Sequence, residues 1–192
     1  MVTLQVEIAK ISFYPPSKGY AVILKELNGE RQLPVIVGAF EAQAIALAIE
    51  GIEMPRPMTH DLLSNLLETM EVDVKEIVIN KLVEGTFYAK IYVDSYNFGE
   101  KEIDSRPSDA IALALRVDAP VFVSETVMNE AGVKLTDQKD SEVFKIDASI
   151  IQQEYSLEEE LKKAVDIENY ELAAQLRDKI KSLNGENSGG HS

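Results

Sequence analysis

Two pairs of extended apolar runs, each folded about a turn dipeptide, constrain this chain more than any other feature. Residues 20–27 and 31–37 flank Asn28-Gly29, and residues 74–83 and 86–96 flank Glu84-Gly85. Asn-Gly accepts positive φ at both positions, so the first pair predicts a type I′ hairpin, with Pro34 placing its second strand at an edge or bulge. Val2, Leu4, Val6 and Ile8 alternate with Thr3, Gln5 and Glu7, the period of a half-buried strand. Short extended pieces follow at residues 101–104 and 120–123. Helical patterns separate these blocks. Residues 39–52 are Ala, Ile and Leu broken by Glu41, Gln43 and Glu50, a helix buried around most of its circumference and ended by Gly51. Residues 59–71 carry Leu62, Leu63, Leu66, Leu67 and Met70 at three- and four-residue spacing, and Pro107 opens a third helix to residue 117. Strands and helices come in blocks and do not alternate one by one. The expectation is an α+β fold: a mostly antiparallel sheet packed with about three helices. Residues 129–146 are polar and weakly patterned, with a short strand at 143–146.

The chain's 192 residues and 45% apolar content suffice for one packed domain plus an appendage. The absence of cysteine excludes disulfides and thiolate metal sites. Strand pattern begins at once, with no basic and apolar leader, which points to a cytoplasmic protein. The longest apolar run, near residues 39–49, is interrupted by Glu41 and Gln43 and falls short of the roughly 20 residues that cross a bilayer, so no membrane partner is expected. Net charge is −14. Residues 1–150 hold 14 Lys/Arg against 24 Asp/Glu, net −10, and residues 151–192 hold 5 against 9, net −4. No basic stripe exists to draw in polyanions, so any phosphodiester chemistry must rest on local arginines or on metal. A phosphate-cradling glycine loop, a nucleophile elbow and a multi-histidine cluster are all missing, which disfavours kinase, serine hydrolase and zinc enzyme.

Towards the C-terminus, Ser156-Leu157-Glu158-Glu159 is a capping-box pattern that opens a helix to about residue 165, and a second helix restarts near Asn169 and runs to residue 183. Leu161, Val165, Ala173, Leu176, Ile180 and Leu183 form one apolar stripe. Two helices of this size do not bury such a stripe alone, so a protein partner or self-association through residues 154–184 is implied. Residues 185–192 lack apolar anchors and are expected to be a disordered tail, which removes His191 as a ligand. The domain reading is therefore 1–147, 154–184 and 185–192.

Arg56-Pro57-Met58-Thr59-His60-Asp61 is echoed by Arg106-Pro107-Ser108-Asp109. An Arg-Pro step sets an arginine just outside a helix whose first turn then carries a carboxylate. Guanidinium and helix N-terminus together suit an anion.

These corners, together with Leu33-Pro34-Val35-Ile36-Val37-Gly38 through Glu41-Ala42 and with Asp104-Ser105 running on to Ala114, resemble the bifunctional nuclease family over roughly residues 1–140. The resemblance implies a compact α+β domain, to which nuclease activity on RNA and DNA has been ascribed in plant relatives. Leu161 to Val165 followed by Asn169-Tyr170-Glu171-Leu172-Ala173-Ala174-Gln175-Leu176-Arg177-Asp178 resembles the UVR motif of the excision-repair proteins UvrB and UvrC. That motif implies a helical hairpin used for protein pairing.

Phosphodiester hydrolysis needs an activated water, stabilisation of charge on the phosphorane oxygens and assistance to the leaving oxygen. The two corners supply these residue types. His60, Asp61 and Asp109 are the expected catalytic groups, with His60 as general base. Arg56 and Arg106 are expected to hold phosphate. Asp61, Asp104 and Asp109 offer oxygen ligands to Mg²⁺ or Mn²⁺. A plainer account is that first-turn aspartates stabilise their helices by about 0.3–1 kcal/mol each, with Arg56 pairing Asp109 and Arg106 pairing Asp61. Glu41 reads as a surface residue or as the buried partner of an arginine. Tyr14, Tyr20, Phe87, Tyr88, Tyr92 and Tyr96 fit sheet packing better than base stacking. The leading reading is a nuclease with a protein-interaction hairpin, and the alternative is a non-enzymatic adaptor or a small-anion or nucleotide-binding module.

Overall fold

The N-terminal alternation becomes β1 (Thr3–Tyr14), and the two hairpins become β2 (Gly19–Glu26) with β3 (Arg31–Val37) and β4 (Val72–Val83) with β5 (Thr86–Ser95). The structure is a computed structural model that describes residues 2–14, 19–134, 157, 160–165 and 169–186, with side chains described as far as residue 179. The Ala-rich run forms α1 (Ala39–Ile49), followed by α2 (Thr59–Thr69). After the second hairpin come β6 (Lys101–Ser105), α3 (Pro107–Val117), β7 (Val121–Ser124), α4 (Glu125–Ala131) and β8 (Val133–Lys134). Eight strands form one sheet in the order β6-β5-β4-β7-β1-β2-β3-β8. Only β4 and β7 run parallel among these neighbours; the other pairs are antiparallel. The α+β expectation holds.

Apolar patterning decides the layers. Ile77, Val78 and Ile79 of β4 are consecutive and all buried, so this central strand is covered on both faces. α3 packs against β4 and β5 and is flanked by α1 and α2. α4 touches β3, β4 and β7. A seven-residue helix is only about 10 Å long, whereas β3 and β4 lie four inter-strand spacings, about 19 Å, apart in a flat sheet. The sheet must therefore curl around α4. α4 lies beyond the three helices expected: Ser124 caps it by accepting a hydrogen bond from the Val127 amide, and seven residues are too few to display a helical period.

The two hairpin turns exchange roles. Neither Asn28 nor Gly29 has positive φ, so the expected type I′ turn is absent there, whereas Glu84 (φ 49°) and Gly85 (φ 76°) both do. At the first turn the Glu26 carboxylate folds over the loop to meet Arg31, with Nε and Nη2 each 3.0 Å from its oxygens. A Cβ on Gly29 would lie 2.2 Å from that carboxylate, so glycine serves close approach here and not a left-handed backbone. Pro34 lies where β3 has no outer neighbour, since β8 pairs only with Arg31 and Gln32, which agrees with the edge expected from the sequence.

Contacts divide the chain into Met1–Ile146 and Asp147–Ser192. In the second unit residues 160–165 are helical, as α5, and α6 spans Tyr170–Glu186 with Asn169 capping it through the Leu172 amide at 3.2 Å. Leu157, Ala164, Ala173 and Leu176 are buried together, with Leu161 packed on them. Val165, expected in this stripe, is 44% exposed instead, and Leu157 takes its place. Helix continues through residues 185–186; the rest of the expected tail, the strand at 143–146 and the side chains of Ile180 and Leu183 lie outside the described residues.

Candidate functional site

The first turns of α1, α2 and α3 each place a carboxylate at the third helical position: Glu41 after N-cap Gly38, Asp61 after Met58 and Asp109 after Arg106. Free backbone amides and the helix dipole favour a negative group at that position. Asp61 Oδ2 accepts the Met58 amide at 2.7 Å, which closes the first turn of α2. Packing of α1 and α2 on α3 then brings the three starts together.

Arg106 is the hub. Its Nε and Nη2 meet Asp109 Oδ2 and Oδ1 at 2.7 and 2.9 Å, and its Nη1 meets Glu41 Oε1 at 3.0 Å. His60 Nε2 lies 3.4 Å from Asp109 Oδ1. The imidazole side chain is 15% exposed and Arg106 is 65% exposed, so the cluster has a sheltered imidazole side and an open cationic side. Burial pushes the Asp109 carboxyl up, yet the hydrogen bonds and charge of Arg106, with His60 adding to them, leave it below the ordinary carboxylate value. Asp109, through its hydrogen bonds and then its charge, holds the Arg106 proton more firmly still.

Asp61 points to a different arginine. Arg116, near the end of α3, donates from Nε to Asp61 Oδ1 at 2.5 Å and from Nη1 to the carbonyls of Ala44 and Ala112 at 3.1 and 2.8 Å. Its side chain is 10% exposed. Burial raises the Asp61 carboxyl, but Arg116, the Met58 amide and His60 outweigh that and the net shift is downward. The cross-pairing of the plainer account is therefore replaced: each aspartate is neutralised, but Asp109 by its own Arg106 and Asp61 by Arg116. Arg56 is exposed and makes no ion pair or hydrogen bond among the described residues. Asp104 stands apart on β6, exposed and in register with Lys90 of β5. Glu41, left open by the sequence, is a working member of the cluster. Arg116 escaped sequence reading; its one signal was a cation in the last turn of α3, where it complements the dipole.

Beside this cluster a cleft of about 540 Å³ opens between the end of α1, the 50–58 connector, α2 and the end of α3. Asp61 and Arg116 line it; His60, Arg106 and Asp109 do not. No group of three or more His, Asp or Glu side chains among the described residues is placed to hold a metal. Both oxygens of Asp61 and of Asp109 already accept from a cation or an amide, so a divalent ion there would share these oxygens with Arg106 and Arg116.

Fold and site define a two-module protein: a curled α+β sheet domain whose three helix starts converge on an arginine, and a C-terminal helical hairpin with its own small core. Comparison with known families names both modules. The bifunctional nuclease domain matches residues 22–136 and the UvrB/uvrC motif matches residues 156–186; the chain belongs to the bifunctional nuclease domain family. It is 41% identical over 138 residues to an uncharacterized protein of Mycobacterium tuberculosis, a match covering 72% of this chain and 82% of that one. It is also similar to bifunctional nuclease 1 of Oryza sativa subsp. japonica, 28% identical over 178 residues and 84% of this chain. Bifunctional nuclease 2 of Arabidopsis thaliana is 26% identical over 180 residues and 83% of this chain. The match spans about half the length of these plant relatives, 54% in each.

Proposed function

We propose that the sheet domain hydrolyses phosphodiester bonds of RNA or DNA at the cluster of His60, Asp109, Arg106 and Glu41. The observation that carries this reading is the meeting of an imidazole, two carboxylates and a guanidinium from three separate helices at an open face. Arg106 uses three of its five N–H donors on carboxylate oxygens, which leaves one on Nη1 and one on Nη2 for a phosphate. Donation from His60 Nε2 to Asp109 leaves the lone pair on Nδ1 to take a proton from water, and the carboxylate stabilises the imidazolium that results. A 3.4 Å contact is long for this pair; such contacts tighten when substrate arrives. Asp61 is the positioning residue that fixes the start of α2, and Arg56 is the exposed cation for a neighbouring phosphate. Mg²⁺ or Mn²⁺ would be held jointly by these carboxylates and the substrate phosphate.

The hairpin is proposed as the pairing element for a protein partner or a second copy. Val165, Tyr170 and Leu172, 44%, 68% and 40% exposed, remain uncovered on it. The cytoplasm is the proposed location. One observation favours the alternative: the carboxylates are neutralised already, as in a non-enzymatic module that binds a small anion on the spare Arg106 donors.

Labelled single-stranded RNA and DNA, incubated with Mg²⁺, Mn²⁺ or EDTA, separate the readings. His60→Ala and Asp109→Asn, each folded, are expected to lower turnover by about 100-fold or more. Equal weak cleavage by all three proteins, with phosphate still bound, would establish the anion-binding module instead.

A further inference from the structure

We infer that the cleft beside the cluster is a binding site for a neutral nucleobase, seated against Arg116. Its volume of about 540 Å³ lies within the range of about 300–1,000 Å³ usual for small-molecule sites. The Arg116–Asp61 ion pair lines it. Arg116 is nine-tenths buried and spends Nε and Nη1 on Asp61, Ala44 and Ala112, while Nη2 makes no hydrogen bond among the described residues. Nη2 is also not sealed: the only unpartnered, fully buried side-chain polar atom among the described residues is Asn80 Oδ1. Nη2 therefore keeps two unspent N–H donors on a side chain that lines the cleft.

Charge selects the kind of acceptor. Asp61 cancels the guanidinium, and Glu53 on the rim adds a negative charge, so a phosphate or carboxylate meets a lining that is net negative. A cation offers the unspent Nη2 donors of Arg116 no acceptor. A neutral carbonyl or ring nitrogen meets neither penalty. Leu47, Met54 and Leu115 supply apolar walls, and Ser64 and Asn65 on α2 supply paired donors and acceptors, the mixture that a flat, amide-edged heterocycle requires.

The choice of a nucleobase among neutral heterocycles rests on the nuclease reading. Asp61 follows His60 in the first turn of α2, and Arg116 lies seven residues, about 10 Å, along α3 from Asp109. A base in the cleft would thus flank a phosphate held by Arg106, and the site would set which nucleotide neighbours the cleaved bond.

Titration of the full chain with uridine, cytidine, guanosine and adenosine, which carry no phosphate, tests the inference by calorimetry or by amide shifts. At least one nucleoside is expected to bind with a Kd below about 1 mM. Ser64→Phe and Ala48→Leu, which enlarge lining side chains of α2 and α1, are each expected to weaken binding tenfold or more while thermal midpoints stay in place. His60→Ala is expected to bind nucleoside as the parent does. Absence of binding by all four nucleosides, binding indifferent to both filling variants, or displacement of nucleoside by inorganic phosphate would overturn the site. Nucleoside binding without any strand cleavage would uphold the cleft and remove only the catalytic reading.

Discussion

At the residue scale, two carboxylates in equivalent helix positions carry unequal energetic weight. Asp61 faces an arginine that is 10% exposed, whereas Asp109 faces one that is 65% exposed. Asp61→Asn strands a buried guanidinium and is expected to cost about 2–4 kcal/mol, while Asp109→Asn costs about 1 kcal/mol or less, as chemical denaturation would measure. Both carboxyls are held below their ordinary value. Their stabilisation is therefore complete above about pH 4, the value of an unfolded aspartate, and is lost as pH falls through the lowered folded values. Stability of the parent should decline below about pH 4, and Asp61→Asn should decline more gently. The Arg-Pro corners, His60 and the first-turn acids were legible in the sequence because local backbone chemistry places them. The Asp61–Arg116 pair was not, because residues 55 apart meet only through the packing of α2 on α3.

At the element scale, patterning revealed whatever was long enough to repeat. α3 begins at Pro107 as expected, and the strands around Glu84-Gly85 follow their β-branched and aromatic runs. What patterning missed was short or turned on a side chain. The Asn28-Gly29 dipeptide carried the stronger turn signal, yet the Glu26–Arg31 pair imposed another loop shape. α4 hangs on Ser124, which is fully buried, donates to the Asn80 carbonyl at 3.3 Å and caps Val127 at the same distance. Ser124→Ala removes both bonds and is expected to cost about 1–2 kcal/mol, with hydrogen exchange rising first in residues 125–131.

At the scale of the whole molecule, the sheet domain and the hairpin each have their own core, and deletion separates their roles. A chain ending at residue 150 should keep the thermal transition of the sheet domain and lose self-association, read as solution mass by light scattering. An unchanged oligomeric mass would show that the hairpin does not pair copies. Net charge of −14 was plain from composition; that Arg106 gathers acids from two helices was not, since only the fold brings the helix starts together.

The parallel join between β4 and β7 gives this junction a mechanical setting. β7, four residues long, is all that stitches the β6-β5-β4 ribbon to the β1-β2-β3-β8 ribbon across the sheet, with three paired positions on the β4 side. Glu41 follows one ribbon in the chain, and Arg106 with Asp109 follows the other. The Glu41–Arg106 pair therefore joins the two ribbons, whereas the Arg106–Asp109 fork lies within one of them. A narrow seam in the sheet and the charged corner of the helices are thus tied together by one ion pair.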